Sequence, residues 1–428
     1  MDTTTNSITV PTRTVLFLLF LVSFFNYMDR YMLAVLTPAI KADLDLSDAQ
    51  IGFITGLAFT LFYATMGIPI ARLADRYSRK KIISIALAVW SAMTAICGLA
   101  QNFVQLAVAR VMVGVGEAGC SPPSHSLLAD LFPVKQRARA LSIYSLGAPV
   151  GIFVGFMLGG WLTQLYNWRI ALFAVGIPGI MLALVTYTKL PEPERGAADG
   201  IKTAQQQPGF WFSLKTLCSS PTFMNVSLAT GLYTVLWLGV VQWLPSYFTR
   251  SFGLEIGTVG TWLAVILSTS QIAGMLMGGQ IADKLGHRDI RWYAWVPALA
   301  MLISTPMFAL TFLTGNVTIA FASLFLPFMI GVMQGPASFA MAQGLADVRM
   351  RAMAAALLLL ITNMIGGGIG PWAMGFMSDM LAADYQEESL RYSLLVVSLI
   401  FGLWASLHYY LASKTIQREF KLHQGQGE

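Results

Sequence analysis

ARLADRYSRK (residues 71–80) and GQIADKLGHR (residues 279–288) are two copies of one pattern, with Asp75 and Asp283 at equivalent points 208 positions apart. Each copy is a short basic stretch around a single acid, and each follows an apolar run long enough to cross a bilayer. A second pair keeps the same order: LADLFPVKQRARA (128–140) is answered by LADVRMRAM (345–353), aligning Asp130 with Asp347. Two echoes in one order indicate duplicated halves. In a membrane protein, duplicated halves enclose a pseudo-symmetric cavity of the kind alternating access requires.

The sequence around these loops is membrane-like. Hydrophobic residues make up 56% of the 428 and charged residues 11%, against about 25% charged in a soluble domain. Apolar segments of spanning length fall near 15–38, 50–71, 82–100, 104–128, 140–161 and 168–188, then 222–246, 258–281, 292–313, 316–342, 352–378 and 392–413. The expectation is an all-α membrane protein of twelve transmembrane helices in two pseudo-symmetric six-helix halves, 1–188 and 222–428. Between them, 189–221 opens PEPERG, stays polar and closes on GFWFSLKTL, which reads as a cytosolic linker with an amphipathic, interfacial end.

Charge sets the expected orientation. Of the 27 Lys and Arg, Arg30 and Arg110 lie within spans, Lys41, Arg169, Arg250 and Arg391 lie in the odd-numbered, outer gaps, and the other 21 lie in the alternate gaps and tails. The gaps poor in basic residues also hold the acids Asp43, Asp45, Asp48, Asp384, Glu387 and Glu388. Both termini are therefore expected in the cytosol. The net charge of +6 follows from this topology and gives no reason to expect nucleic acid. Cys97, Cys120 and Cys218 have no paired spacing, so neither a disulfide nor a metal site is expected, and no cofactor is implied. The first apolar run is interrupted by Asp29 and Arg30 and lacks a small-residue cleavage site, so it reads as a retained helix and not a signal peptide.

The two loops resemble the signature that follows helices 2 and 8 in the major facilitator superfamily, and the resemblance covers nearly the whole chain. FNYMDRY (25–31), RVMVGVGEAGCSPPSHSLLADLFP (110–133) and RARALSIYSLGAPVGIFVG (137–155) resemble the Spinster branch within it. Ala71 and Ser78 depart from the loop signature, which usually has Gly there. The resemblance implies a bacterial-type, inner-membrane, monomeric secondary transporter, proton-coupled, for a lysophospholipid or sphingoid phosphate. Small organic-acid symport and multidrug efflux stay open as rivals, as does a non-transporting sensor. An intramembrane enzyme is disfavoured because no GxSxG, HExxH or phosphate-loop motif occurs.

Four strongly charged side chains fall well inside spans: Asp29, Arg30, Arg110 and Glu117. A charge at the bilayer centre costs about 2.5–3.5 kcal/mol even on the lenient insertion scale, so these groups must meet water or partners. They are the expected proton- and substrate-binding set. The alternative is an ion-pair network that only holds two helices together. Helical rise puts Asp29 roughly 13 Å below Pro38 and Arg110 roughly 10 Å below Phe103, with Glu117 two turns further in on the same face.

Neutral candidates for the cavity wall are Tyr63, Tyr233, Trp237, Gln242, Gln271 and Asn363, with Trp243 in the same aromatic set. His125 could relay a proton, although a solvated structural histidine is the simpler reading. By resemblance Asp75, Arg76, Arg79, Asp283 and Arg288 form gating loops. Gly147, Gly151, Gly155 and Gly159 recur every fourth residue on the fifth span, Ser270, Gly274 and Gly278 on the eighth. Gly52 with Gly56, and Gly366 with Gly370, share that spacing. Resemblance pairs helix 5 with 8 and helix 2 with 11, which makes these stripes the expected sliding contacts between halves. Pro149 resembles an exporter signature and points to efflux.

Overall fold

The structure is a computed structural model that describes residues 11–195, 210–347 and 350–424. Among the described residues, twelve apolar rods make up the bundle. The first half holds α1 (Thr12–Leu44); α2 (Asp48–Gly52) running through a π turn (Phe53–Leu57) into α3 (Ala58–Arg76); α4 (Arg79–Cys97); α5 (Phe103–Glu117) with α6 (Ser121–Leu131); α7 (Val134–Ser145) with α8 (Gly147–Leu165); and α9 (Trp168–Lys189). A short α10 (Phe210–Cys218) precedes the second half. That half holds α11 (Pro221–Phe252); α12 (Ile256–Gly286); α13 (Trp292–Leu313); α14 (Val317–Val332) with α15 (Gln334–Gly344); α16 (Arg351–Thr362), a π turn (Asn363–Gly367) and α17 (Gly368–Tyr385); and α18 (Ser389–Gln424). Among the described residues there is no strand. In lipid every backbone polar group must be satisfied within the chain, which is why the apolar runs are helical throughout.

Local chemistry sets the rod ends. Asn102, Asn167, Ser220 and Asn316 accept hydrogen bonds from the first-turn amides of α5, α9, α11 and α14. Ser47 and Gln50 cap one another reciprocally at the start of α2. The fourth rod breaks at residues 118–120, and Pro122 and Pro123 restart it as α6, since proline fits only a first turn. Several rods outrun their expected spans. α1 continues through Pro38 to Leu44, which puts Asp29 about 22 Å from the helix end. Apolarity marks where lipid begins, whereas a helix continues until its backbone finds another partner.

The halves meet along three seams: α1 with α11, α8 with α12, and the second rod with α17. The glycine stripes need correcting against these seams. Gly147, Gly151, Gly155 and Gly159 face α1, where an added Cβ would sit 2.6–2.7 Å from Ser23, Phe24, Met28 or Val35. Gly274 and Gly278 face α14 and the residue after it, at Met329 and Met333. Gly366 and Gly370 face α11 at Thr234 and Val235. These stripes pack each half internally. The α8–α12 seam instead uses Gly160 against Ile256 and Gly260 against Phe156, at 2.8 and 2.5 Å. Gly52 and Gly56 do face α17, as expected.

Candidate functional site

The four intramembrane charges form one cluster. Arg30 Nη2 donates to Glu117 Oε2 at 2.5 Å, joining α1 to α5. Arg110 Nη1 lies 3.8 Å from Asp29 Oδ1, an ion pair without a hydrogen bond. Thr94 Oγ1 of α4 donates to the other Asp29 oxygen. Asp29, Arg110 and Glu117 are all buried, while the Arg30 side chain is 22% exposed. Among the described residues, Asp29 Oδ1 and Glu117 Oε1 have no hydrogen-bond donor, nor do Arg30 Nε and Arg110 Nε have an acceptor. Buried polar atoms without partners are costly, and they mark a place where a proton, water or ligand group is stabilised.

The cluster is two-layered. Arg30 and Arg110 line a central cavity of about 40 Å³, whereas Asp29 and Glu117 stand behind them. Phe59 lies between the guanidiniums, its ring centroid 4.7 Å from Arg30 Cζ and 5.2 Å from Arg110 Cζ, and Tyr63 is 5.0 Å from Arg30. An aromatic face holds a guanidinium without neutralising it, so the N–H edges stay available to an anion. Thr55 lines the cavity as well, and Gln242 and Asn363 line it from the second half. Thr55 and Asn363 belong to the two π turns, which open the helical ladder where the halves face each other.

A second, more apolar chamber of about 300 Å³ lies in the other half, lined by Tyr233, Trp237, Gln271, Met275, Gln334 and Phe339. Tyr233 Oη is buried without a partner. Behind the chamber, Tyr409 Oη bonds Gln334 Oε1 at 2.5 Å, Ser338 at 2.8 Å and Thr230 at 3.0 Å. Trp237 and Gln242 also bridge the halves, through Tyr31 Oη at 3.4 Å and Thr37 Oγ1 at 2.8 Å. Trp243 is fully buried, donates to the Pro371 carbonyl and takes no part in either wall. His125 is exposed and meets Tyr144 edge-on at 5.1 Å, with no contact to Glu117.

At the end of the bundle away from the termini, Asp48 locks the halves together. Its carboxylate accepts two bonds from Arg250 at 2.5 and 2.7 Å, one from Lys41 at 2.5 Å and one from Ser378 at 2.7 Å. Asp379 reciprocates from α17 by accepting the first amides of α2, Asp48 N at 3.0 Å and Ala49 N at 2.7 Å. Pairing with the helix dipole makes this a favourable place for a carboxylate. Further toward the terminal end, Ser268 donates across the halves to the Pro149 carbonyl at 3.1 Å.

At the terminal end two of the expected gating residues, Arg79 and Asp283, bond within their own halves. Arg79 is buried and donates to Asp130, to Glu192 at 2.9 Å, to Ser126 Oγ at 3.1 Å and to the Pro193 carbonyl at 2.8 Å. Ser78, the departure from the loop signature, donates to Glu192 at 2.6 Å and also caps α4. Burial opposes ionisation of Glu192, but bonds from Ser78, Lys80 N and Arg79 outweigh it and hold its carboxyl below the usual range. Arg195 then caps α3 by donating to the Ala74 and Tyr77 carbonyls. Asp283 accepts from Tyr293 Oη at 3.0 Å, and Arg76 and Arg288 are exposed. The Asp75 side chain lies outside the described residues.

Sequence reasoning missed Phe59, Thr94 and the Asp48 lock. The first two are ordinary apolar and hydroxyl residues with no local signal. The lock's members were legible only as a scatter of charges used to assign orientation.

The comparisons agree with this architecture. The family model described as Major Facilitator Superfamily matches residues 19–371. An MFS-type efflux pump of Mycolicibacterium smegmatis is 31% identical over 399 residues, covering 93% of this chain and 92% of that one. Protein spinster homolog 1 of Xenopus tropicalis is 27% identical over 90% of this chain and 78% of its own length. Among solved structures, a bacterial homologue of the human lysosomal transporter Spinster, inward-facing and unoccupied, superposes with a TM-score of 0.85 at 30% identity, covering 95% of this chain and 98% of that one. Family and fold are those of transporters and not of enzymes. The chain is a multi-pass membrane protein of the Major Facilitator Superfamily, in its Spinster-like branch.

Proposed function

We propose that this transporter works by proton-coupled alternating access on an amphipathic anion of the lysophospholipid or sphingoid-phosphate class. The observation that carries the reading is the layering of the charge cluster: two guanidiniums face the cavity and two carboxylates stand behind them. Protonating Asp29 or Glu117 releases a guanidinium from its counter-charge, which leaves a net positive wall for a phosphate or carboxylate. The aromatic chamber around Tyr233 and Trp237 supports a substrate that is apolar at its other end. The lock at Asp48 closes one end of the path and must break for the other half of the cycle. Asp75, Arg76, Arg79, Asp283 and Arg288 would close the terminal end in that alternate state.

The basic bias of the terminal loops supports cytosolic termini and a bacterial inner membrane. The enclosure of the whole path by one chain supports a monomer, and resemblance to an efflux pump supports export. A small organic acid is the second reading, favoured by the modest 40 Å³ of the central cavity.

A thermal-shift panel of lysolipids, sphingoid phosphates, organic acids and cationic drugs at two pH values tests the assignment. Stabilisation by the lipid anions, stronger at the lower pH, is the expected result. Stabilisation by small carboxylates alone would overturn the lipid reading, and stabilisation by cations would overturn the anion site.

A further inference from the structure

Two lipid-facing grooves repeat across the pseudo-symmetry, and neither belongs to the transport path. One lies between α4 and α9, encloses about 440 Å³ and is walled by Ile85, Ala88, Ile180, Met181, Leu184 and Tyr187. The other lies between α13 and α18, encloses about 430 Å³ and is walled by Trp292, Trp295, Leu299, Leu302 and Tyr410. These are the third and sixth rods of the first half and the third and sixth of the second. The walls are almost wholly apolar and strongly exposed: Met181 is 65% exposed, Leu184 66% and Leu302 50%. On the bilayer-facing side of a helical bundle such a groove is filled by acyl chain.

Both mouths open at the terminal end, and both carry the same device. Lys80 Nζ lies 5.7 Å from the centroid of Tyr187, and Lys414 Nζ lies 4.7 Å from the centroid of Tyr410. Among the described residues neither lysine has a carboxylate partner. The acids nearby are already engaged. Glu192 is held by Arg79, Ser78 and the Lys80 amide, and Asp289 by Arg291 and Gln417. Additional exposed cations flank the mouths: Lys81 and Lys189 at the first, Arg418 at the second, where Arg291 also stacks 4.9 Å from Trp295. An unpaired ammonium over a tyrosine ring, at the head of an apolar groove, complements a phosphate joined to an acyl chain.

We propose that the two grooves are paired docking sites for anionic phospholipids of the leaflet at the terminal end, with phosphates at Lys80 and Lys414 and acyl chains along the groove walls. Each lipid rests within a single half, so it rides with that half during rocking. The inference is independent of what the central cavity carries.

The test uses the full chain in phosphatidylcholine nanodiscs doped with either phosphatidylglycerol or phosphatidylcholine bearing brominated chains. The readout is the quenched tryptophan emission that disappears in Trp295→Phe. Brominated phosphatidylglycerol should quench at several-fold lower mole fraction than brominated phosphatidylcholine. Lys414→Gln should erase about fivefold of that preference, the worth of one basic residue at a lipid surface. Lys414→Arg should keep it, and Lys284→Gln, an equal charge loss on α12, which lines neither groove, should leave it unchanged. Native mass spectrometry of Lys80→Gln with Lys414→Gln should lose both retained phosphatidylglycerol molecules. Equal quenching by the two lipids, or equal effects of Lys284→Gln and Lys414→Gln, would overturn the proposal. Displacement of the brominated lipid by a single-chain lysolipid at low concentration would also overturn it, in favour of a substrate entry port.

Discussion

Replacing Asp48 by asparagine should open the end of the bundle away from the termini. Asp48 is 2% exposed, and its two oxygens accept four hydrogen bonds, three from cations and one from Ser378. Removing one partner of a buried ion pair costs about 3–5 kcal/mol. Here the stranded cations are partly hydrated, with side-chain exposures of 16% for Arg250 and 31% for Lys41. Asparagine also keeps one acceptor for Ser378. Discounting for both, and for the Lys41 bond that stays within one half, leaves about 2 kcal/mol charged to the closed state through the Arg250 and Ser378 bonds that cross between halves. That is about a 30-fold shift in the closed-to-open ratio, enough to raise a state populated at about 1% to about a quarter of molecules. Pulsed electron-resonance distances between spin labels at Gln101 and Glu387, in a Cys218→Ser background, would report it as a second, longer population. Asp43→Asn is the control, since the Asp43–Arg169 pair is exposed and lies within one half. An unchanged distance distribution in Asp48→Asn, or the same shift in Asp43→Asn, would refute the reasoning.

Five further outcomes are expected. Glu117→Gln should abolish pH-driven movement in proteoliposomes while leaving downhill exchange, and an unaltered pH dependence would remove Glu117 from the coupling. Arg110→Lys should weaken anion binding by about tenfold or more in a thermal-shift titration, since a charged hydrogen bond contributes about 1.5–3 kcal/mol. Gly151→Ala places a Cβ 2.6 Å from the Phe24 carbonyl within one half, so overpacking should cost about 1–3 kcal/mol of stability, read as a lower melting temperature. Gly260→Ala, 2.5 Å from the Phe156 carbonyl across the halves, should chiefly alter transport rate and the distance distributions. Glu192 has a folded-state pKa below its ordinary 4.5, so it contributes stability above that value and loses it as pH falls through the depressed one. The melting-temperature gap between the native protein and Glu192→Gln, present at neutral pH, should therefore close in acid.

Much of the candidate site was legible because burying charge in lipid is so costly. Asp29, Arg30, Arg110 and Glu117 stand out in any apolar run, and the structure brings all four together. Their pairing was not legible. Nothing local says that Thr94 holds Asp29 or that Phe59 lies between both guanidiniums. The glycine stripes show the same division. Spacing of four identifies a face on which a neighbour can approach, but Gly151 finds α1 and Gly274 finds α14, because the neighbour is chosen by how all the rods pack.

The sequence alone determined the helices, the two halves and the list of intramembrane charges, since hydropathy, helix period and repeated loops are properties of residues near one another in the chain. Only the tertiary structure decided which surfaces meet. The Asp48 lock joins residues 202 and 330 positions apart, the guanidiniums face the cavity while the acids stand behind, and twin lysine-headed grooves remain open to lipid. Each of these depends on the relative placement of whole helices, which is set by the summed packing of the bundle and leaves no local trace at the residues that benefit.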